Sequence, residues 1–266
     1  LTGDDEIVEP KQWRIQQISM TDPAIRTSWV QVPNGISIDA YLAEPTEGSS
    51  LPAIVVIQEI FGVNAHIRDV TERIAREGYV AIAPAIFQRT APGFEVGYSQ
   101  EETRLGRKYK DLTTAEELLS DIQATIAHVR TLPSMNGAAI GTIGFCFGGH
   151  VVYLAATLPD VQATASFYGA GIATMTPGGG APTISRTAEI KGTLYAFFGT
   201  QDPLIPAEQI DQVETELRAH SDKHHVFRYP AGHGFFCDQR SDYSSNAAAD
   251  AWNHVRQLFR TLGDQR

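Results

Sequence analysis

Cys146 lies in Gly144-Phe145-Cys146-Phe147-Gly148-Gly149, a run in which an apolar strand has to turn abruptly into a helix. The spacing matches the nucleophile elbow G-x-S-x-G with cysteine in place of serine. Glycines are needed on both sides, because the tip residue sits in a strained turn where neighbouring backbones come too close for a Cβ atom. A thiol at that tip faces a helix N-terminus, whose unpaired N–H groups favour the thiolate, and the N–H of Phe147 is placed to hold an oxyanion. Taken alone the run has two other readings. A cysteine among glycines is often a small core hydrophobe, and a glycine-rich strand-to-helix turn also binds dinucleotide phosphates. Two later segments favour the first reading. Phe198-Gly199-Thr200-Gln201-Asp202-Pro203 puts an acid just after an apolar strand, and Ala231-Gly232-His233-Gly234-Phe235 puts a histidine in a glycine-flanked loop after the next. Each alone is weak, since Asp-Pro is a common turn or cap and most loop histidines do no chemistry. Together they supply a nucleophile, a base and an orienting acid at successive strand ends.

Such residues need strands that all end on one side of the molecule. From residue 53 onward, short apolar runs that read as buried on both faces are each followed by a helical period, the pattern of parallel βαβ units. The spacing predicts strands over 53–58, 79–83, 139–145, 162–168, 192–198 and 223–229. Helices are predicted over 66–77, 148–156, 206–220 and 246–262. A further helix presents Leu118, Leu119, Ile122, Ile126 and Val129 on one face, behind a capping box read as Thr113 with Glu116, and Pro133 stops it. Ahead of these, alternating runs 28–32 and 36–42 flank Pro33-Asn34-Gly35 and predict an antiparallel hairpin at a sheet edge. The connection 88–111 is long enough to be a lid or pocket-shaping excursion with short helices, and its charges over 104–110 read as a solvated face. A turn-rich loop is expected at 176–180, and His224-His225 on an exposed strand edge. The chain order of nucleophile, acid and histidine is that of α/β-hydrolases. The expected fold class is α/β: one α/β-hydrolase domain over 25–266, with a mostly parallel central sheet, helices on both faces and an N-terminal antiparallel edge, after an acidic arm, 1–24.

Several segments taken together resemble a known family. Val56-Ile57-Gln58-Glu59-Ile60-Phe61-Gly62-Val63-Asn64, His66-Ile67-Arg68-Asp69, Gly78-Tyr79-Val80-Ala81, the cysteine elbow, Asp202 and the His233 loop are similar to the dienelactone hydrolases, or carboxymethylenebutenolidases, over residues 35–262. The resemblance implies a Cys-Asp-His triad at Cys146, Asp202 and His233, and a thioester intermediate on Cys146. It implies that the Ile60 and Phe147 N–H groups form the oxyanion hole and that Glu59 contacts the resting thiol. An ionised carboxylate there disfavours the thiolate until substrate displaces it, which would protect the nucleophile. The plainer reading of Glu59 is a strand-end carboxylate paired with a basic neighbour.

For the substrate, Phe87-Gln88-Arg89-Thr90-Ala91-Pro92 keeps an arginine where the family's dienelactone-processing members hold the substrate carboxylate, which makes Arg89 the expected anion anchor. Those members carry a second arginine four residues beyond the catalytic histidine. This chain has Cys237 there, followed by Asp238 and then Arg240. A thiol or an aspartate does not replace the arginine fork, so Arg240 either reaches inward as a substitute or forms a surface ion pair. Tyr168 is read either as a pocket wall or as a core tyrosine with a satisfied hydroxyl. Cys146 and His150 have a metal-ligand spacing, but no second Cys/His pair matches it, and neither metal nor organic cofactor is expected.

Composition narrows the partners. The 266 residues, 42% hydrophobic and 20% charged, have the make-up of a globular protein, with 31 acidic against 21 basic residues and a net charge of -10. That balance argues against nucleic acid and anionic membrane, and no apolar stretch is long enough to span a bilayer. Two cysteines make no disulfide scaffold, though a single bridge is compatible with them. The expected location is the cytoplasm, with export after removal of a leader as the alternative because the chain starts at Leu1. The sequence carries no signal for oligomeric state. The expected function is a cysteine hydrolase of a small lactone or ester. A broader carboxylesterase or thioesterase, a redox sensor pairing Cys146 with Cys237, and a silent ligand-binding protein are the alternatives.

Overall fold

The computed structural model describes residues 23–135 and 139–263; all but the last two residues of the arm expected over 1–24 lie outside them. The strands are β1 (Ile25–Pro33), β2 (Ser37–Pro45), β3 (Ala53–Ile57), β4 (Val80–Pro84), β5 (Ile140–Phe145), β6 (Val161–Phe167), β7 (Thr193–Gly199) and β8 (His225–Tyr229). The α-helices are α1 (Ala65–Arg76), α2 (Gln100–Lys110), α3 (Ala115–Val129), α4 (Phe147–Ala155), α5 (Ala207–His220) and α6 (Ser245–Arg260). The eight strands form one sheet in the order β1-β2-β4-β3-β5-β6-β7-β8. β1 and β2 are antiparallel, joined by the Asn34-Gly35 turn, and β2 pairs antiparallel with β4; every later pairing is parallel.

Central strands read as continuous apolar runs because both their faces are covered. Ile54 and Val56 face a layer that includes Ile67, Val70 and Ile74 of α1 and Trp252 and Val255 of α6. Ala53, Val55 and Ile57 face the opposite layer, with Leu118, Ile122 and Ile126 of α3 and Val151 of α4. Burying each such side chain contributes about 2 kcal/mol, so the sheet is held from both sides by the alternation of its own residues. The chain runs from β3 to β4 on one side and then crosses to β5 on the other. This reversal puts a crevice beyond the C-terminal ends of β3 and β5, where α/β sheets bind ligands. Among the described residues no helix is long and apolar enough to cross a membrane.

Local readings shift in three places. The cap of α3 is Thr114 with Glu117, one residue later than expected, because the Thr113 hydroxyl donates to the Lys110 carbonyl and closes the end of α2. A full capping box is made instead by Ser99 and Glu102 at the start of α2. His224 is buried rather than on the exposed edge, since its Nδ1 accepts from the Leu194 N–H; its neighbour His225 is exposed on the edge strand β8. A 3-10 helix, Thr183–Glu189, follows the turns at 176–180, too short for any periodic signal.

The contact that seats α4 is made by glycine. A Cβ on Gly148 would lie 2.3 Å from the Ile57 carbonyl oxygen and 2.4 Å from that of Gln58, so the helix rests directly on the end of β3. Gly148→Ala is therefore expected to cost about 3 kcal/mol of folding stability, read as a lower denaturant midpoint with an unchanged slope. An unchanged midpoint would show that the helix can shift without penalty.

Candidate active site

Cys146 stands between β5 and α4 with φ 55° and ψ -118°, a conformation that side chains rarely adopt. Its surroundings hold it there. The Cys146 N–H donates to the Phe167 carbonyl at 3.0 Å, and its own carbonyl accepts from the His150 N–H at 3.2 Å. Gly144 and Gly149 are as tightly placed as Gly148: a Cβ on either would come within 2.2 Å of a backbone oxygen, from Gly148 and Phe167 respectively. Strain of this kind persists only where the rest of the fold over-determines it. It turns the sulfur outward at the head of α4, into the crevice.

Asp202 and His233 arrive from the next two strand ends. A Cβ on Gly199 would lie 2.2 Å from the Ala231 oxygen, and this close approach joins the loops after β7 and β8. Across it the His233 Nδ1–H donates to Asp202 Oδ2 at 2.7 Å, while Asp202 Oδ1 accepts from the Leu204 N–H at 2.8 Å. Both side chains are almost wholly buried. Burial by itself lowers the imidazole pKa, but the charge of the Cys146 sulfur and hydrogen bonding to Asp202 and Cys146 outweigh it and push it up to about 10. Apart from Cys146, His233 Nε2 has no protein partner, which leaves that nitrogen for the thiol and for a reacting molecule.

Cys146 and His233 line a cavity of about 450 Å³ together with Ile60, Phe147 and Arg240. The N–H groups of Ile60 and Phe147 donate to no backbone acceptor in a turn, loop or cap among the described residues. Two unspent donors beside a nucleophile are what an oxyanion needs. The Ile60 loop is fixed from the far side, where Gly62 bridges to Glu95, the Val96 N–H donates to the Phe61 carbonyl, and a Cβ on Gly62 would strike the Phe94 oxygen at 2.0 Å.

Glu59 is fully buried, and Arg240 Nη1 donates to its Oε1 at 2.9 Å. The thiol contact that the resemblance implies is not formed, since Glu59 Oε2 has no hydrogen-bond partner. Arg240 thus reaches inward rather than outward, with its guanidinium packed against Phe61 and Tyr98. Burial opposes its charge; Glu59 and then Cys146 outweigh that and raise its pKa.

Other expected residues stand elsewhere or differently. Arg89 is outside the cavity: its guanidinium clasps the buried Asp121 of α3 at 2.5 and 3.2 Å and reaches the Asn34 carbonyl. Pairing with Asp121 across the hairpin turn takes the place of anion binding, and nothing in the local sequence announces it. Tyr168, another strained residue (φ 36°), is fully buried against the His233 ring, with ring centres 5.2 Å apart. Its hydroxyl has no hydrogen-bond partner, contrary to the satisfied core tyrosine expected, and burial raises its pKa well above 10.0. Both cysteines are free thiols; Cys237 is buried, donates to the Tyr98 hydroxyl at 3.3 Å and is pushed up to about 11 by burial and then by Glu59. Such a thiol is poorly reactive, which weakens the redox-sensor reading.

Two histidines take structural places that the sequence did not assign them. His150, on the first turns of α4, donates from Nδ1 to the Ala170 carbonyl at 2.9 Å, so its Nε2 accepts from Thr183 at 2.7 Å. Burial holds it at about 4 and hence neutral, and both nitrogens are spent on bracing the loop beyond β6. His66 approaches Glu59 and Cys237, their donor atoms lying within 4.8 Å of one another. Two of these three groups already have partners, Arg240 and Tyr98, so the set is first of all a hydrogen-bonded cluster under the cavity.

The dienelactone hydrolase family matches residues 38–263. A Synechocystis protein named "Putative carboxymethylenebutenolidase" is 58% identical over 239 residues, spanning 89% of this chain and 97% of that one. An Escherichia coli K12 protein of the same name is 31% identical over 256 residues, covering 94% and 92%. A crystal structure titled as a putative dienelactone hydrolase from Klebsiella pneumoniae superposes with a TM-score of 0.79 at 28% identity, covering 89% of this chain and 99% of that one. The fold is that of an α/β-hydrolase, and the chain belongs to the dienelactone hydrolase family, hydrolases that act on esters and lactones.

Proposed function

We propose that the chain hydrolyses small lactones or esters through a Cys146-His233-Asp202 triad and a thioester acyl-enzyme. The observation that carries this reading is the 2.7 Å bond between His233 and Asp202 on the same cavity as the strained Cys146. His233 Nε2 takes the thiol proton, and the sulfur attacks the carbonyl carbon. The negative charge moves to the carbonyl oxygen, held by the N–H groups of Ile60 and Phe147. Collapse of this intermediate breaks the ester C–O bond, the imidazolium protonates the leaving oxygen, and the acyl group remains on sulfur. For a lactone the alcohol stays attached, so ring opening leaves a hydroxy-acyl thioester. A water deprotonated by His233 then attacks the thioester, releasing the carboxylic acid and the thiol. Asp202 keeps the imidazole in the required tautomer and stabilises its charged form. The protective role that the resemblance implies for Glu59 requires the thiol to turn to its unpartnered Oε2, since Oε1 is held by Arg240.

A broader esterase activity is favoured by one observation, the engagement of Arg89 with Asp121 outside the cavity. Assaying a dienelactone beside an uncharged aryl ester separates the two readings. Cys146→Ala is expected to lower kcat on either substrate by about ten-thousand-fold. Wild-type turnover by this variant would remove Cys146 as the nucleophile.

The charge of His233 is testable apart from turnover. The Cys146 sulfur and Asp202 push its pKa up from 6.5 to about 10, so the imidazolium that has taken the thiol proton is stabilised and is lost only as pH rises through that value. In Cys146→Ala the sulfur's contribution disappears, so the His233 titration observed by NMR moves to lower pH. An unmoved titration would mean that Cys146 and His233 do not form an interacting pair.

A further inference from the structure

Three groups meet under the cavity that the hydrolytic reading does not use together. Glu59 comes from the loop after β3, His66 from the first turn of α1 and Cys237 from the loop after β8. A carboxylate oxygen, a ring nitrogen and the sulfur lie within 4.8 Å of one another. All three residues are buried, with exposures of 0%, 3% and 0% in that order. Two of their polar atoms are spare, since Glu59 Oε2 and His66 Nε2 are buried without a hydrogen-bond partner. The Tyr168 hydroxyl is unpartnered too, and after burial the influences that act on it most are the charges of Glu59 and Cys237. Unsatisfied polar atoms are uncommon in a folded interior, and their convergence marks a place able to bind a polar guest.

The donor set selects the guest. A carboxylate, an imidazole and a thiol suit a borderline ion such as Zn2+, whereas Mg2+ and Ca2+ take oxygen ligands. Burial lowers the His66 pKa and so keeps its imidazole neutral, the form that binds a metal. Glu59, Asp238 and Asp69 act on the same ring in the opposite sense, so three carboxylates are set around it against the one guanidinium of Arg240. The ring is also held in orientation, edge-on to Phe145 and Phe236 at 5.7 and 6.4 Å. Burial and Glu59 disfavour the Cys237 thiolate, but hydrogen bonds with Tyr98 and the Gln239 backbone support it, and a bound dication removes the penalty. Glu59 and a Cys237 thiolate together balance the charge of a divalent ion. Because the three ligands come from separate segments, no ligand spacing in the sequence announces them.

We propose that Glu59, His66 and Cys237 form a Zn2+ site under the cavity, with the fourth position of the ion left to water. Ligands on one zinc stand about 3.5 Å apart, so the side chains need to close by only about 1 Å. Binding releases the Cys237 proton to solvent and forms bonds to sulfur, nitrogen and oxygen without any change of oxidation state. Glu59 binds through Oε2 while Oε1 keeps its bond to Arg240, whose charge opposes the ion and limits its affinity. An ion there occupies the Oε2 that the protective role of Glu59 calls on, which couples the site to the resting thiol. The site itself does not rest on the hydrolase reading.

The test uses untagged Cys146→Ala protein, in which Cys237 is the one thiol left of the two in the chain. Titration with Co2+, a spectroscopic stand-in for Zn2+, is expected to produce a thiolate-to-cobalt charge-transfer band that Zn2+ displaces and Mg2+ does not. Adding Cys237→Ser abolishes the band, and adding His66→Gln weakens Zn2+ binding by calorimetry about tenfold or more. Arg240→Gln tightens Zn2+ about tenfold, because it removes the opposing charge. Zn2+ also raises the thermal midpoint of Cys146→Ala but not that of Cys146→Ala/Cys237→Ser. Absence of the charge-transfer band in Cys146→Ala overturns the site, and that measurement stands even if a ligand variant fails to fold. Equal Zn2+ affinity with and without Cys237, or an affinity that Arg240→Gln leaves unchanged or weakens, overturns it as well.

Discussion

The site depends on backbone packed against backbone where α4 meets the ends of β3 and β6. Gly144, Gly148 and Gly149 each lie where a Cβ would collide with a main-chain oxygen, and Cys146 is held between them at a positive φ. Main-chain contacts are less forgiving than side-chain ones, since no rotamer change relieves them. They fix three things together: the direction of the thiol, the Phe147 N–H at the head of α4, and the distance from α4 to the Ile60 loop that follows β3. The same device recurs at Gly199 against Ala231, which sets His233 beside Asp202, and at Gly106 against Ile60, which sets α2 over the cavity. The geometry of the candidate site is thus carried by glycines.

Electrostatics divides the region into a compensated floor and an uncompensated rim. Below the thiol, Glu59 is matched by Arg240, while the Cys237–Tyr98 contact and the neutral His66 add no net charge to a buried place. A lone buried carboxylate would be costly, and a lone buried guanidinium equally so; together they are tolerable. At the rim, Arg107, on the cavity wall, is exposed to water and can wait unpaired at little cost.

Much of this was legible in the sequence wherever a local rule decided the outcome. The Asn34-Gly35 hairpin, the doubly buried strands and the cysteine elbow each follow from a few consecutive residues, and the acid and histidine follow from their places after strands. The α3 cap was displaced by one residue because both Thr113 and Thr114 satisfy the pattern, and only the Lys110 carbonyl chooses between them. What escaped was set by tertiary contacts between distant segments. Arg89 is bound by Asp121 and Arg240 by Glu59, pairs separated by 32 and 181 residues, and no spacing reveals either. The inward face of α2 was hidden for a similar reason: a helix bearing four basic residues looks solvated until Gly106 shows which side touches the protein.

The account centres on Cys146 carrying the acyl group, and mass spectrometry after acid quench tests this most directly. Mixing the protein with excess aryl ester and quenching within the first turnovers should place the acyl mass on the peptide containing Cys146, in an amount that decays as hydrolysis proceeds. The adduct should be lost on treatment with hydroxylamine, as expected of a thioester. An acyl group on another residue, or steady turnover with Cys146 never modified, would contradict the account.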